Sequence, residues 1–174
     1  MKIINPETNS ILYFFLLAEL IWISLLDIKT QKIKNYWSIL NIAVFFFLIV
    51  FASETYPLKI AMFYYSFGFL FVGFLLFLIK IMGAGDIKYL FSFFLILPLG
   101  IHQDMFNRLI VFTGICAFVF LTFNLVKNYK ILFSALKEKK YGLIKNCFGT
   151  KFAFSPVILI TWIWFGVDSG KFGF

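Results

Sequence analysis

"IAMFYYSFGFLFVGFLLFLIKIMGAGDIKYL", residues 60–90, joins two unlike kinds of sequence. Residues 60–79 carry no charge. Then Lys80, Gly83, Gly85, Asp86 and Lys88 break in before a second apolar run resumes at residue 89. A helix needs about 20 apolar residues to cross the hydrocarbon core of a bilayer. The first run therefore reads as a membrane span, and the break after it as a return to the membrane edge. An ionisable group at such a boundary costs free energy unless it is partnered or used. What keeps Asp86 in place is the central question of this sequence.

The rest of the chain follows the same pattern. Of 174 residues, 62% are hydrophobic, 14% are charged and 27 are phenylalanine. A soluble domain of this size could not hide so much apolar surface, because part of every globular protein faces water. Six segments are long and apolar enough to span: residues 11–26, 36–52, 60–79, 87–101, 109–126 and 152–167. The expected fold is an all-α, polytopic membrane bundle of six transmembrane helices. It forms a single domain over residues 1–174, too short to include a second soluble domain of ordinary size. The first segment does not read as a cleaved signal peptide, since its leader is poor in basic residues and "ISLLDIK" offers no small-residue cleavage site.

Lysines orient the bundle. Lys29, Lys32 and Lys34 follow the first segment, and Lys80 and Lys88 flank the third junction. Lys127, Lys130, Lys137, Lys139, Lys140, Lys145 and Lys151 follow the fifth, against Glu138 alone. The remaining junctions are nearly balanced: Lys2 with Glu7, Glu54 with Lys59, Asp104 with Arg108, Asp168 with Lys171. Basic loops stay cytoplasmic, so both termini are expected outside and the odd-numbered junctions inside. The net charge of +8 then faces anionic lipid rather than nucleic acid, for which no folded basic domain is present. The basic segment at about residues 127–151 alternates lysines with Leu132, Leu136, Leu143 and Ile144, the pattern of a helix lying on the membrane surface. Cys116 and Cys147 form no CxxC pair, which argues against a zinc site or a structural disulfide.

This topology has a chemical consequence. Asp27 closes the first segment, which runs inward, and Asp86 opens the fourth, which starts from the inside. Both carboxylates fall at the same cytoplasmic boundary. Two close carboxylates cannot both ionise cheaply, so they share a proton, one acting as base and the other as acid. A base that takes a proton from water and an acid that polarises a peptide carbonyl are the parts of an aspartic protease, which needs neither metal nor cofactor. Gly83 and Gly85 are expected to supply backbone conformations closed to other residues and to let an extended substrate approach. Either aspartate alone would more often be a helix cap or a headgroup contact, and Asp86 does sit where a carboxylate meets a helix dipole favourably. The pairing of the two, one of them inside Gly-x-Gly-Asp, favours catalysis.

"GAGDIK" (83–88) matches the Gly-x-Gly-Asp-x-Lys signature of the type IV prepilin and preflagellin peptidases, and "DIKTQKIKN" (27–35) resembles their first-aspartate segment. The resemblance covers nearly the whole chain, six spans and orientation included. It implies that Asp27 and Asp86 are the catalytic pair, that Gly83, Gly85 and Lys88 complete the second motif, and that Asn35 ends the first. The implied substrates are prepilin-like or preflagellin-like precursors, cut where a short basic leader meets a hydrophobic helix. The implied location is the cytoplasmic membrane, with the site at its cytoplasmic face. Two departures are visible. Lys34 and Ala153 stand where the family usually has proline, which bears on loop rigidity and leaves the aspartates untouched. Presenilin-type proteases also use Gly-x-Gly-Asp, but without this basic, Asn-terminated loop. Larger relatives add a cytoplasmic region with paired CxxC motifs. Here the first span begins about ten residues in and no CxxC exists, so cleavage without N-methylation is expected.

Other polar residues read more plainly. Asn35 is expected to N-cap the second helix. Lys88 either reaches the headgroups or tunes Asp86. Glu19, about 12 Å from Asp27 along the helix and rotated from it, suggests a structural hydrogen bond. Asn41 and Asn124 are expected to join helices, and His102 to be solvated. Two rival functions remain at this level: a small proton- or cation-coupled transporter with Glu19, Asp27 and Asp86 along its path, and a catalytically silent subunit of a pilus or secretion assembly machine. A transporter should place acids near mid-membrane and often shows an internal repeat. Only Glu19 is deep, and no repeat is present.

Overall fold

The computed structural model describes residues 9–78, 82–129 and 153–171. The basic segment expected on the membrane surface lies, from residue 130 to 152, outside them. The described residues fold as helices only: α1 (Ser10–Thr30), α2 (Asn35–Phe51), α3 (Tyr64–Leu78, entered through a 3-10 turn at Ile60–Phe63), α4 (Ala84–Ile96), α5 (His102–Lys127, entered through Leu99–Ile101) and α6 (Ser155–Asp168).

Each apolar segment read from the sequence holds a helix, but among the described residues only three helical stretches are long and apolar enough to cross a membrane. These are Ser10–Thr30, Ile60–Leu78 and Leu99–Lys127; Asn35–Phe51 and Ser155–Asp168 are shorter apolar helices. The fourth segment departs most from expectation. The sequence stays apolar through residue 101, yet α4 stops at Ile96 because Pro98 follows. The residue before a proline is driven out of the helical region, and Leu97 is extended, with φ −67° and ψ 139°. At 1.5 Å per residue α4 is only about 20 Å long. It is also the most enclosed helix, with Tyr89, Leu90 and the run from Ser92 to Leu97 all buried.

Two groups of three helices build the bundle. α4 packs between α2 and α3, while α6 packs between α1 and α5. Between lipid-bathed helices there is little hydrophobic driving force, so close packing and small residues hold them together. Gly73 of α3 lets Ile87 of α4 in so closely that a Cβ there would meet its side chain at 2.8 Å. Gly166 of α6 faces the Tyr13 ring of α1 in the same way, leaving no room for a side chain. Tyr13 stacks on Trp162 at 5.0 Å, and the indole Nε1–H donates to the Tyr13 carbonyl at 3.2 Å. Phe93 meets Trp162 edge-on at 5.7 Å and joins the two groups. The outer faces stay apolar and exposed, as at Phe71 and Phe118, which suits lipid rather than water.

α1 turns a single stripe inward: Leu12, Tyr13, Leu16, Glu19, Leu20, Ile23, Ser24 and Asp27. The three- and four-residue spacing is that of one helical face, so Asp27 ends the buried side of its helix. One turn later the helix closes at Gln31, which adopts the left-handed conformation (φ 50°) and donates its N–H to the Asp27 carbonyl at 2.7 Å.

Candidate active site

The end of α1 and the Gly-x-Gly-Asp turn meet through the short connection 31–34. The Ile33 carbonyl oxygen lies directly against Gly85, where any Cβ would overlap it. Lys88 of α4 donates from Nζ to Asn35 Oδ1 of α2 at 3.4 Å. The two motifs thus interlock at one end of the bundle, the end that carries Asp27 and Asp86.

Asp86 sits in the first turn of α4. Its Oδ2 accepts the backbone N–H of Gly83 at 3.2 Å, the reach-back half of a capping box. The carboxyl lies ahead of the apolar part of its helix. Burial pushes it up from its ordinary 3.8, the charge of Asp27 pushes it further, and the Gly83 N–H pulls it partly back, leaving it at about 6. This is the behaviour expected of a carboxyl held near a like charge in a poorly hydrated place.

Asp27 is held differently. It is 2% exposed, and its Oδ2 accepts two hydrogen bonds from one residue, the Ser155 N–H at 3.2 Å and the Ser155 hydroxyl at 2.8 Å. Ser155 opens α6. The first N–H groups of a helix have no partner within it, and here a carboxylate from another helix supplies one. Among the described residues neither acid is ion-paired; both ion pairs belong to Arg108. Nor do three His, Cys, Asp or Glu side chains come together there as a metal-ligand set.

Several expectations are corrected by this geometry. Gly83 and Gly85 do not supply unusual backbone conformations. Gly83 has φ −78°, and the only positive-φ glycine described is Gly170. Gly85 is required for close approach to a backbone oxygen instead. Asn35 does not N-cap α2: Lys34 holds that position, and Asn35 is the first helical residue, accepting from Lys88. Lys88 therefore bridges the two motifs. His102 is not solvated but buried, its Nε2 within 2.9 Å of the Leu97 carbonyl. Asn124 bonds the Phe120 carbonyl of its own helix rather than a neighbour.

Glu19 is enclosed beside Asn41 of α2 and Tyr89 of α4, but the structural hydrogen bond expected of it does not form. No hydrogen bond of ordinary geometry closes among the three. Ser155 is the residue that sequence reasoning passed over. "AFSP" carries a helix-start signal, but nothing local says that the serine reaches an aspartate 128 positions away.

The family model of the type IV leader peptidases matches residues 14–126. The chain belongs to that family. The matched region contains Asp27 and Asp86 and ends before α6. No curated protein and no solved structure matches the chain. Membership gives the general function, that of a leader peptidase, and it agrees with the apolar helices in pointing to a membrane protein.

Proposed function

We propose that the protein is an aspartic endopeptidase of the cytoplasmic membrane that removes the leader from prepilin-like or preflagellin-like precursors. In this reading all six helices lie in the bilayer, with α4 lined by its neighbours, both termini outside and the two acids at the cytoplasmic edge. The lysine distribution supports that orientation. A leader peptidase cuts where a short polar leader meets an apolar helix, and this edge is where that boundary lies.

The reading rests on one observation: the two motifs meet, Gly85 against the Ile33 carbonyl and Lys88 on Asn35, and bring two acids that are not ion-paired among the described residues to one end of the bundle, in unequal surroundings. Asp86 suits the acid role, protonated below about 6. Asp27 suits the base. The water oxygen bonds to the scissile carbonyl carbon while Asp27 takes the water proton and Asp86 lends its proton to the carbonyl oxygen. Collapse breaks the C–N bond, the proton on Asp27 goes to the leaving amine, and Asp86 recovers its own. A transporter reading finds less support, because Glu19 is closed in by Asn41 and Tyr89 rather than open to the aspartates along a path.

The test is to mix membranes containing the protein with prepilin-like and preflagellin-like precursors and follow the product by mass. A shortened product with its new N-terminus at the leader boundary is expected. Intact precursors throughout, with the protein shown to be present, would overturn the proposal.

A further inference from the structure

Ser155 lies beyond the region that the family model covers and outside the motif residues, yet it makes the shortest hydrogen bond to either acid. It is 0% exposed, so neither of its donors is shared with solvent. Both are spent on the same oxygen, Asp27 Oδ2, while Oδ1 accepts no hydrogen bond among the described residues.

That asymmetry has a chemical meaning. A hydrogen bond donated to a carboxylate favours its charged form, and charge-assisted bonds of this kind are stronger than neutral ones. An oxygen already accepting two of them is poorly placed to take a proton. The helix adds to this, since the N-terminus of α6 presents its positive end to the same oxygen. We infer that Ser155 is a positioning residue of the peptidase reaction: it anchors Oδ2 of Asp27, turning Oδ1 toward the attacking water as the oxygen that takes its proton.

The inference rests on the reading of Asp27 as the base. Among the described residues, the other charged groups on the elements around Asp27 are Asp86 of α4, Lys29 and Glu19 on its own helix, and Lys32 and Lys34 in the connection that follows. The first turn of α6 contributes no acid, and Lys88 is engaged with Asn35. Removing the Ser155 hydroxyl therefore alters one donor and leaves these charges as they are.

The experiment is the pH profile of kcat/KM for cleavage of a prepilin-like precursor by the full chain in liposomes. Wild type is compared with Ser155→Ala, Ser155→Gly and Ser155→Thr. Without the hydroxyl, the acid limb should move upward by about one pH unit, and the rate at the optimum should fall roughly tenfold with KM nearly unchanged. Ala and Gly should shift the limb equally. Thr, which keeps the hydroxyl, should leave it in place even if its rate is lower. The position of a limb does not depend on how much enzyme folds, so a variant that accumulates poorly still reports. An unmoved limb in Ala and Gly, or a Thr limb displaced as far as Ala, would overturn the inference. If Asp27→Asn still cleaves, the base assignment itself is wrong; if Asp27→Asn is inactive and the limb stays put, only the role of Ser155 is lost.

Discussion

Opposite charges meet at one end of this bundle, and like charges meet at the other. Near the start of α5, Arg108 bonds Asp104 at 2.9 Å and Asp168, at the end of α6, at 2.5 Å. Tyr65 donates to Gln103 close by, and an apolar cavity of about 400 Å³ lies at that end between α1 and α2, lined by residues such as Leu12, Phe15, Leu48 and Pro98. At the other end, among the described residues, Asp27 and Asp86 accept from neutral donors only, Ser155 and the Gly83 backbone. Matched charge stabilises and asks for no further explanation. Among the described residues no cation is ion-paired with either acid; two acids gathered in this way raise the free energy of the folded state, which makes the end that holds them the candidate functional site.

The largest expected effect is at the unmatched end. Asp27→Asn and Asp86→Asn should each reduce the initial cleavage rate below about a tenth of wild type, more than roughly 1.4 kcal/mol on the barrier. The double variant should be no worse than either, because the pair acts as a unit. Rates measured in liposomes, with protein amounts checked by immunoblot, decide this. Losses that multiply would mean that the two acids work independently.

Next comes Gly85→Ala. Its Cβ would collide with the Ile33 carbonyl, forcing the connection 31–34 away from α4 and separating the motifs. Displacement of reacting groups by about 1 Å can cost on the order of 100-fold, and a loss of that size is expected in the same assay. An active Gly85→Ala would show that the contact at Ile33 does not set the geometry of the acids.

The smallest effect on catalysis belongs to the matched end. Arg108→Ala removes two partly exposed pairs, each contributing up to about 1 kcal/mol. Thermal unfolding in detergent should drop by a few degrees, while cleavage stays within about twofold. A large fall in activity would erase the contrast between the two ends.

The sequence disclosed the parts of this molecule that depend on local pattern. Apolar runs locate each described helix, and the meeting of the two motifs at one end of the bundle agrees with the lysine pattern that sets Asp27 and Asp86 on the same side. Where the reading went astray, a neighbour decided the outcome. Pro98 cut α4 short of the apolar run that suggested it. Asn35 looks like a cap, but the helix starts on it, leaving its side chain to Lys88. His102, polar and near a helix start, was drawn inside by the Leu97 carbonyl that the proline break exposed. At Gly85 the lack of a side chain is required by the Ile33 carbonyl and not by the residue's own dihedrals. Ser155 was invisible, because only the packing of α6 against α1 brings it to Asp27.

Titration of Asp86 tests the account most directly, because the central claim is that the two acids feel each other. Carbon-13 or infrared titration of its carboxyl, in wild type and in Asp27→Asn, gives the answer. In wild type Asp86 is expected to titrate near 6, raised by burial and by the Asp27 charge. With asparagine at position 27 the charge is gone and burial remains, so the midpoint should move down toward the ordinary carboxylate range without reaching it. A midpoint that stays where it was would contradict the dyad.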